Sequence, residues 1–279
     1  MNKSANPARR KKARFSRYGE WALVTGASSG IGRALAREIA RGGMNVVLVS
    51  RQEDALNGLK QELEKKHGIS ARVIVADLAQ EPSYRQLIEA TKDIEIGLLV
   101  PNAGMEITGE FIATDLDKNL DLLRLNMLSA LALAHGYGAQ MAKRKKGAIL
   151  FLSSTFAFQG VPYVASYAAS KSYILLLGEA LAYEMARHNV DVTVLAPGMT
   201  RTNMPANMPV DFSRMPMKSH SPEYVARFGL RKLGRKYVAV PGIINRIFAF
   251  QNRLMPRSFP VKMFGGMMKK ALTGKARLK

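Results

Sequence analysis

Short apolar runs rich in β-branched residues alternate with helical segments from Trp21 onward. The runs read WALVT, NVVLVS, ARVIVA, IGLLV, AILFLSS and VDVTVLA, and most of the segments between them carry apolar residues at helical spacing. Fully apolar strands that alternate with helices are typical of a parallel sheet covered on both faces. The sequence therefore predicts an α/β fold with a doubly wound parallel sheet.

The length of the chain favours one domain with extensions. At 279 residues and 47% hydrophobic side chains, the chain can bury one large core. The predicted division is a basic N-terminal tail at 1–17, a Rossmann-type domain at 18–240 and a basic amphipathic C-terminal extension at 241–279. The alternation of strands and helices lies within the middle segment.

The net charge of +21 is concentrated at the two ends of the chain. Residues 1–17 contain seven Lys or Arg and residues 225–279 contain fourteen, and neither segment contains an acidic residue. The remainder is balanced, so we expect the ends to contact an anionic surface. Nucleic acid is not the expected partner, because the ends lack interleaved aromatic and basic residues.

The C-terminal extension contains an apolar helix pattern. The residues predicted to share one side are Ile243, Ile244, Ile247, Phe248, Leu254 and Met255. Two interpretations stay open: peripheral binding to an anionic membrane, or docking of this helix on the body or on another subunit. No apolar run is long enough to span a membrane, and no secretory signal is recognised.

The absence of cysteine excludes disulfide frameworks, thiol catalysis and thiolate metal sites. The four histidines are scattered without ligand spacing, so no metal site is expected. This composition suits a reducing compartment, and the expected location is cytoplasmic, with peripheral membrane association as the alternative. A homo-oligomer, dimer or tetramer, is left open.

The segment TGASSGIG, Thr25 to Gly32, directly follows the first strand and opens the first helix. The backbone amides of a tight glycine turn and of a helix N-terminus together form a binding site for pyrophosphate. Gly26 is expected to permit the turn, Gly30 to admit the phosphates, and Gly32 to let the helix pack closely. The pattern favours a dinucleotide site.

The second strand ends in VLVSRQ, with Ser50 and Arg51 where an acidic residue would favour NAD. A guanidinium has the geometry to bind a 2′-phosphate, which favours NADP(H) over NAD(H). The alternative is that Arg51 simply caps a solvated helix.

Several separated motifs, taken together, resemble the short-chain dehydrogenase/reductase family. These are TGASSGIG, ADL at Ala76–Leu78, NAG at Asn102–Gly104, Asn126, Ser154, the YxxxK of Tyr167 and Lys171, and PGxxxT at Pro197–Thr202. They occur in family order over roughly residues 20–204. Pro101 departs from the family pattern, which often has asparagine there.

The resemblance implies an NADP(H) site and a catalytic group. The implied cofactor-binding residues are Gly26, Ser28, Ser29, Gly30, Ile31, Gly32, Arg51, Asp77, Leu78, Asn102, Ala103, Gly104, Tyr167, Lys171, Pro197, Gly198 and Thr202. The implied catalytic residues are Asn126, Ser154, Tyr167 and Lys171. In the family pattern, Asp77 binds the adenine amino group, Ser154 holds the substrate oxygen, and Asn126 holds a water that links Lys171 to solvent.

Tyr167 and Lys171 are four residues apart, so on a helix they share one face. A nearby ammonium, together with the charge of oxidised nicotinamide, would lower the phenol pKa and suit Tyr167 to acid–base catalysis. The alternative is structural: Ser153 and Ser154 cap a helix, Tyr167 packs in the core and Lys171 reaches the surface.

The resemblance implies that the segment from Met199 to about Lys218 closes over the substrate. Its apolar residues are Met199, Met204, Met208, Phe212, Met215 and Met217. They favour a lipophilic carbonyl or alcohol, such as a ketoacyl chain, a steroid-like body or an aromatic ketone. The predicted function is an NADP(H)-dependent carbonyl reductase of lipid metabolism. The alternative is a non-catalytic nucleotide-binding scaffold or sensor that binds membranes through its basic ends.

Overall fold

Seven parallel strands form one sheet in the part of the chain that the computed structural model describes, which is residues 15–206, 208–214, 219–251 and 254–273. The strands are β1 (Trp21–Thr25), β2 (Asn45–Ser50), β3 (Ala71–Val75), β4 (Ile96–Val100), β5 (Gly147–Leu152), β6 (Val190–Leu195) and β7 (Val238–Ala239). Their order is β3-β2-β1-β4-β5-β6-β7. The direction of winding reverses between β1 and β4, and ligands of such sheets bind beyond the strand ends at this point. The predicted doubly wound fold is confirmed.

Helices cover both faces of the sheet. They are α1 (Gly30–Arg41), α2 (Glu53–His67), α3 (Ser83–Glu89), α4 (Leu116–Leu123), α5 (Ser129–Arg144), α6 (Ala165–Ala186), α7 (Asn203–Ala206), α8 (Pro222–Lys232), α9 (Ile243–Gln251) and α10 (Ser258–Ala271). Among the helices described, none is long and apolar enough to cross a bilayer.

Alternate residues of each central strand enter different cores. In β1, Ala22 and Val24 pack with α1, α2 and α8, whereas Leu23 packs on the opposite face with α5 and α6. This follows from the two-residue period of a strand, which turns successive side chains to opposite faces. Because both faces are buried, the strands are apolar throughout.

The helical region from Leu116 to Arg144 is interrupted by a π-helical turn at Arg124–Leu128. Asn126 lies within this turn and is buried. A π-helical turn adds one residue to the helix without ending it. The apolar pattern before and after the turn is therefore still helical, and the sequence does not reveal the turn. Its effect is to set the direction of Asn126, which is described with the site below.

The last strand was missed by sequence analysis because it is only two residues long. It adds to the sheet edge through the register Val194↔Val238 and Leu195↔Ala239. At the start of α8, Ser221 Oγ accepts a hydrogen bond from the Tyr224 amide at 3.2 Å, and Pro222 occupies the first turn.

The two ends of the described chain are attached to the body. Phe15 is buried in the core beside α1, and Arg17 Nη2 lies 2.8 Å from Asp191 Oδ2. The predicted domain boundaries at 17/18 and 240/241 stay predictions.

The C-terminal helix α10 packs on the loop that follows β5. The rings of Phe156 and Phe264 meet edge to face at 6.0 Å. Immediately after α10, residues 271–273 run beside residues 209–211: Asp211 N donates to Ala271 O at 2.7 Å and Thr273 N donates to Pro209 O at 2.9 Å. The end of the chain thus holds the segment that was expected to close over substrate.

Candidate active site

A cleft of about 360 Å³ lies beyond the carboxyl ends of the central strands. Every predicted cofactor-binding residue lines it, as do Ser154, Tyr167 and Lys171 among the predicted catalytic residues. Asn126 does not line the cleft. The fold therefore brings together residues that are up to 176 positions apart in sequence, from Gly26 to Thr202.

The glycine turn after β1 leaves no room for larger side chains. Gly26 has a φ of +65°, which disfavours residues with a Cβ. A Cβ on Gly32 would lie 2.2 Å from the Gly26 carbonyl oxygen, so only glycine lets α1 approach the turn. The first turn of α1 holds no acidic residue, and the N-cap Ser29 makes no side-chain capping hydrogen bond. This helix N-terminus fits a pyrophosphate group.

The end of β4 is fastened to the end of β1. Thr25 Oγ1 accepts hydrogen bonds from the amides of Asn102 at 3.0 Å and Ala103 at 2.9 Å. The Asn102 side chain donates to the Thr25 carbonyl oxygen at 2.8 Å. Asn102 therefore fixes the floor of the cleft with its side chain, which the sequence did not predict.

Arg51 lies at the open edge of the cleft. Its side chain is 73% exposed, and its Nη1 lies 3.6 Å from Asp77 Oδ2. The other oxygen of Asp77 accepts a hydrogen bond from the Ala79 amide at 3.1 Å. Because Asp77 is held by the backbone, it restrains a guanidinium that would otherwise be free to turn in solvent.

Tyr167 and Lys171 share one face of α6. The Lys171 Nζ lies 5.8 Å from the centroid of the Tyr167 ring and donates to the Leu152 carbonyl oxygen at 3.0 Å. The Ser153 hydroxyl donates to the Lys171 carbonyl oxygen at 2.7 Å, which ties α6 to the end of β5. Lys171 is buried and does not reach the surface, so the structural alternative for this residue is wrong.

Burial moves the two pKa values in opposite directions. It raises the pKa of Tyr167 to about 12, although a hydrogen bond with Ser154 lowers it and the Glu106 carboxylate raises it further. It lowers the pKa of Lys171 to about 8. The sequence-based expectation was a lowered phenol pKa. That expectation counted a nearby ammonium together with the positive charge of oxidised nicotinamide. Without the nicotinamide charge, the cost of burying the charged phenolate dominates.

Ser154 has two roles in the cleft. Its Oγ accepts a hydrogen bond from the Phe156 amide at 3.2 Å, which caps the 3-10 turn Thr155–Phe158. It also hydrogen-bonds the Tyr167 phenol. The capping role and the expected catalytic role are therefore compatible, since the cap holds the hydroxyl beside the phenol.

Asn126 hydrogen-bonds the backbone of the loop that follows β4. Its Oδ1 accepts from the Met105 amide at 2.9 Å, and its Nδ2 donates to the Met105 carbonyl oxygen at 2.9 Å and to Ser170 Oγ at 3.0 Å. A Cβ on Gly104 would lie 3.1 Å from Asn126 Oδ1 and 3.4 Å from Lys171 Nζ. The side chain is thus beside the ammonium but is committed to the loop, and the water-holding role stays a prediction.

The far side of the cleft is mostly apolar. Met199, Met204, Met208 and Phe212 line it as expected, and Phe156 adds to them. Met215 and Met217 lie outside the described residues. Glu106 also lines the cleft and was not predicted. No local pattern marks it, because the course of the loop after β4 is what brings it to Tyr167.

Residues 20–211 match the family model described as short chain dehydrogenase. The chain belongs to this family. The resemblance inferred from its motifs is thereby confirmed, and the protein is an NAD(P)-dependent oxidoreductase of the short-chain type.

Curated relatives and solved structures share most of the chain. A 7beta-hydroxysteroid dehydrogenase of Clostridium sardiniense is 34% identical over 90% of this chain and 96% of its own length. The human inactive hydroxysteroid dehydrogenase-like protein 1 is 35% identical over 79% of this chain and 67% of its own length. A short-chain dehydrogenase from Sphingobium yanoikuyae, solved in complex with NADPH, has a TM-score of 0.77 at 27% identity and covers 84% of this chain and 93% of its own.

Proposed function

We propose that this protein interconverts a carbonyl and an alcohol on a lipophilic substrate, with NADP(H) as its cofactor and Tyr167 as the acid–base group. The observation that carries the proposal is the convergence of Tyr167, Ser154 and Lys171 beside the glycine turn in one cleft. A tyrosine and a lysine without a functional role would be expected at the surface, whereas here Lys171 is buried and both side chains line the cleft. The shared family and the 7beta-hydroxysteroid dehydrogenase relative support the same chemistry.

The cofactor is NADP(H). The turn at Gly26 and Gly32 and the N-terminus of α1 would hold the pyrophosphate, and Arg51 would hold the 2′-phosphate of the ribose. NADPH in the Sphingobium yanoikuyae structure supports this choice. When bound, the nicotinamide supplies or accepts the hydride.

Tyr167 supplies the proton for reduction. With a pKa of about 12, its phenol is protonated at neutral pH and can donate to the oxygen of a carbonyl as that oxygen gains negative charge. The Ser154 hydroxyl hydrogen-bonds the same oxygen and orients it. The Lys171 ammonium stabilises the phenolate that remains, because the cation lies beside the ring in a site with little water.

The substrate is lipophilic. Flexible thioethers and aromatic rings line part of the cleft, and they belong to Phe156, Met199, Met204, Met208 and Phe212. Phe156, Met208 and Phe212 pack in the same cluster as Tyr167. The apolar surface of these side chains would be removed from water by a bulky steroid-like or aromatic substrate, or by a ketoacyl chain. The hydroxysteroid name of the Clostridium sardiniense relative supports the steroid-like option.

A non-catalytic scaffold is the second candidate. It is favoured by one observation, the human relative that is called inactive. A scaffold of this kind has no need to keep the phenol, the hydroxyl and the ammonium in contact. Their mutual arrangement here supports catalysis, and the two candidates differ in whether bound NADPH turns over.

Peripheral association with an anionic membrane is the second part of the proposal. In α9, Ile243, Ile247 and Phe250 are 63%, 57% and 62% exposed, while Asn245 and Ala249 are buried against the body. Docking on the body thus accounts for one side of this helix only. Leu254 and Met255 lie beyond its end and are also exposed, which extends the apolar surface although they are not part of the helix.

Charge favours lipid over a neutral partner. Arg246 lies within α9, Arg257 and Lys262 follow it along the chain, and no acidic residue follows Glu223 in the whole sequence. Each basic residue near an anionic bilayer contributes about 1 kcal/mol. Exposed apolar side chains ringed by cations are typical of a helix that lies in the interface.

Homo-oligomerisation stays a prediction. Leu116, Leu176 and Tyr183, on α4 and α6, are 69%, 65% and 78% exposed and offer a candidate contact surface. Light scattering of the purified chain decides between monomer, dimer and tetramer.

A cofactor and substrate screen tests the catalytic proposal. NADPH oxidation should be measured with a panel of steroid ketones, aromatic ketones and 3-oxoacyl thioesters, and compared with NADH. We expect turnover of at least one lipophilic carbonyl with a clear preference for NADPH. NADPH binding without turnover of any member would favour the scaffold, and equal use of NADH would remove the role of Arg51.

A further inference from the structure

Glu106 is a carboxylate held inside the substrate end of the cleft. The side-chain amide of Asn126 hydrogen-bonds both the N–H and the carbonyl oxygen of Met105, which immediately precedes Glu106. Three residues later, the Gly109 amide donates to the Tyr163 carbonyl oxygen at 2.8 Å, which attaches the same loop to the segment that leads into α6. The backbone on both sides of Glu106 is therefore fixed relative to Tyr167.

The acceptor capacity of Glu106 is mostly unused. Thr108 Oγ1 donates to its Oε2 at 2.7 Å. Among the hydrogen bonds and ion pairs of the described residues, no partner is found for its Oε1 and no Lys or Arg pairs with it. A carboxylate has about four acceptor positions. The protein thus provides a donor to one oxygen of a carboxylate that lines the cleft.

The surroundings make such a carboxylate costly. Met and Phe side chains line the same cleft, and burial raises the pKa of Glu106, although the Thr108 hydrogen bond opposes this. Removing an ionised group from water without a compensating partner is unfavourable. Groups of this kind concentrate at functional sites, where the missing partner is a ligand.

The chemistry of the missing partner follows from the chemistry of the carboxylate. An ionised carboxylate only accepts hydrogen bonds, so the group opposite must be a donor. A substrate with a second carboxylate close to its carbonyl would meet like charge in a site of low polarity. The unmatched acceptor in an otherwise apolar wall suits a lipophilic molecule that carries a hydroxyl.

We propose that Glu106 accepts a hydrogen bond from a hydroxyl group that the substrate carries in addition to its reacting carbonyl, so that the enzyme selects hydroxylated ketones over their deoxy analogues. This inference rests on the proposed reductase function and narrows its substrate class. Glu106 is a specificity residue in this scheme, whereas Tyr167 transfers the proton.

The test compares matched substrates with matched variants. The substrates are pairs of steroid ketones, each pair consisting of a hydroxylated ketone and its deoxy analogue. The pairs differ in the distance between the hydroxyl and the carbonyl, and each ketone is reduced with NADPH. The enzymes are the wild type, Glu106→Leu, Glu106→Gln and the control Glu110→Gln. Glu110 is exposed on the same loop, so its variant makes the same change of charge outside the cleft.

We expect the wild type to prefer at least one hydroxylated ketone by roughly tenfold or more in kcat/KM, as a hydrogen bond to a charged acceptor permits. Glu106→Leu should reduce the ratio to about one, because it removes the acceptor, and Glu106→Gln should give an intermediate value. Glu110→Gln should keep the wild-type ratio. Thermal unfolding and NADPH fluorescence titration establish that each variant is folded.

Two results overturn the inference, and they are distinct from failure of the proposed function. If the wild type reduces the deoxy ketones as well as every hydroxylated partner, or if Glu106→Leu and Glu106→Gln both keep the wild-type preference, the reductase stands and Glu106 does not select the hydroxyl. If the wild type reduces no ketone of either kind while it binds NADPH, the proposed function itself is overturned, and the inference with it.

Discussion

The ammonium nitrogen of Lys171 lies 5.8 Å from the centroid of the Tyr167 ring, one helical turn away, and hydrogen-bonds the Leu152 carbonyl oxygen at the end of β5. The contact joins the helix that carries the phenol to the sheet that positions the substrate. Both groups are buried, and burial raises one pKa and lowers the other. At neutral pH the phenol, with a pKa of about 12, keeps its proton until a carbonyl oxygen with growing negative charge accepts it, whereas the lysine, with a pKa of about 8, is still mostly charged.

Replacement of Tyr167 by Phe removes only the phenol oxygen. We expect kcat to fall by about 100- to 10,000-fold, since the general acid is lost. NADPH affinity, measured by fluorescence titration, should change little. Tyr183→Phe is the control, because Tyr183 lies on the same helix but is 78% exposed. An active Tyr167→Phe enzyme would contradict the assigned role.

Replacement of Lys171 by Met should separate stability from activity. The pKa of Lys171 is lowered from 10.5 to about 8, so burial of the ammonium opposes folding. We expect activity to be lost while the free energy of unfolding near pH 7 rises by about 1–2 kcal/mol, the gain being limited by loss of the bond to Leu152.

The sign of this effect with pH is fixed by the direction of the shift. Below pH 8 the lysine is charged in both the folded and unfolded states, and the full cost is present. Between 8 and 10.5 the unfolded state binds more protons, so the wild type gains stability as pH rises and the advantage of the variant shrinks. Denaturant titrations at several pH values measure this, and an advantage that grows with pH would refute it.

Replacement of Arg51 by Ala should act on one cofactor only. Loss of the guanidinium should raise the KM for NADPH by roughly tenfold and leave the KM for NADH nearly unchanged, because NADH has no 2′-phosphate. Arg227→Ala on α8, also exposed, is the control for loss of a positive charge. An equal effect on both cofactors would indicate a general electrostatic contribution instead.

Two glycines in helices should respond oppositely to alanine. At Gly32 a Cβ would meet the Gly26 carbonyl oxygen at 2.2 Å, so Gly32→Ala should distort the turn, weaken NADPH binding by tenfold or more and destabilise the fold by roughly 1–3 kcal/mol. At Gly58, in α2, a Cβ would contact nothing within 4 Å, and Gly58→Ala should stabilise by about 0.5–1 kcal/mol. Thermal unfolding and cofactor titration measure both, and similar responses would contradict the close approach at Gly32.

Membrane association should depend on α9 and on salt. Co-sedimentation with vesicles of anionic phospholipid should exceed that with zwitterionic vesicles and should decrease as ionic strength rises. The double variant Ile247→Ser with Phe250→Ser should weaken binding by about 10- to 100-fold. Leu176→Ser, which replaces a side chain 65% exposed on α6, is the control. Binding that is unchanged in the double variant would exclude α9 as the contact.

The features that sequence predicted are those determined by local patterns. The apolar strands follow from burial on both faces, and the glycine turn follows from its position directly after β1. The site residues were found because the family pattern restricts both residue type and order. All of these can be recognised without knowing which distant segments meet.

The features that sequence missed depend on tertiary contacts. The π-helical turn around Asn126 has no distinctive composition. Glu106 is an ordinary loop residue until its loop is bonded to Asn126 and Tyr163. The direction of the pKa shift at Tyr167 was also missed, because burial depends on the whole surrounding fold. These are the places where residues distant in sequence determine the chemistry.

The pairing of residues 209–211 with 271–273 makes the substrate wall a joint product of two distant parts of the chain. Substitutions near the carboxyl terminus can therefore change which substrates are accepted. The strand ends that hold the catalytic residues need not change with them. A mutant library intended to change the accepted ketone should therefore vary α10 together with Met208 and Phe212.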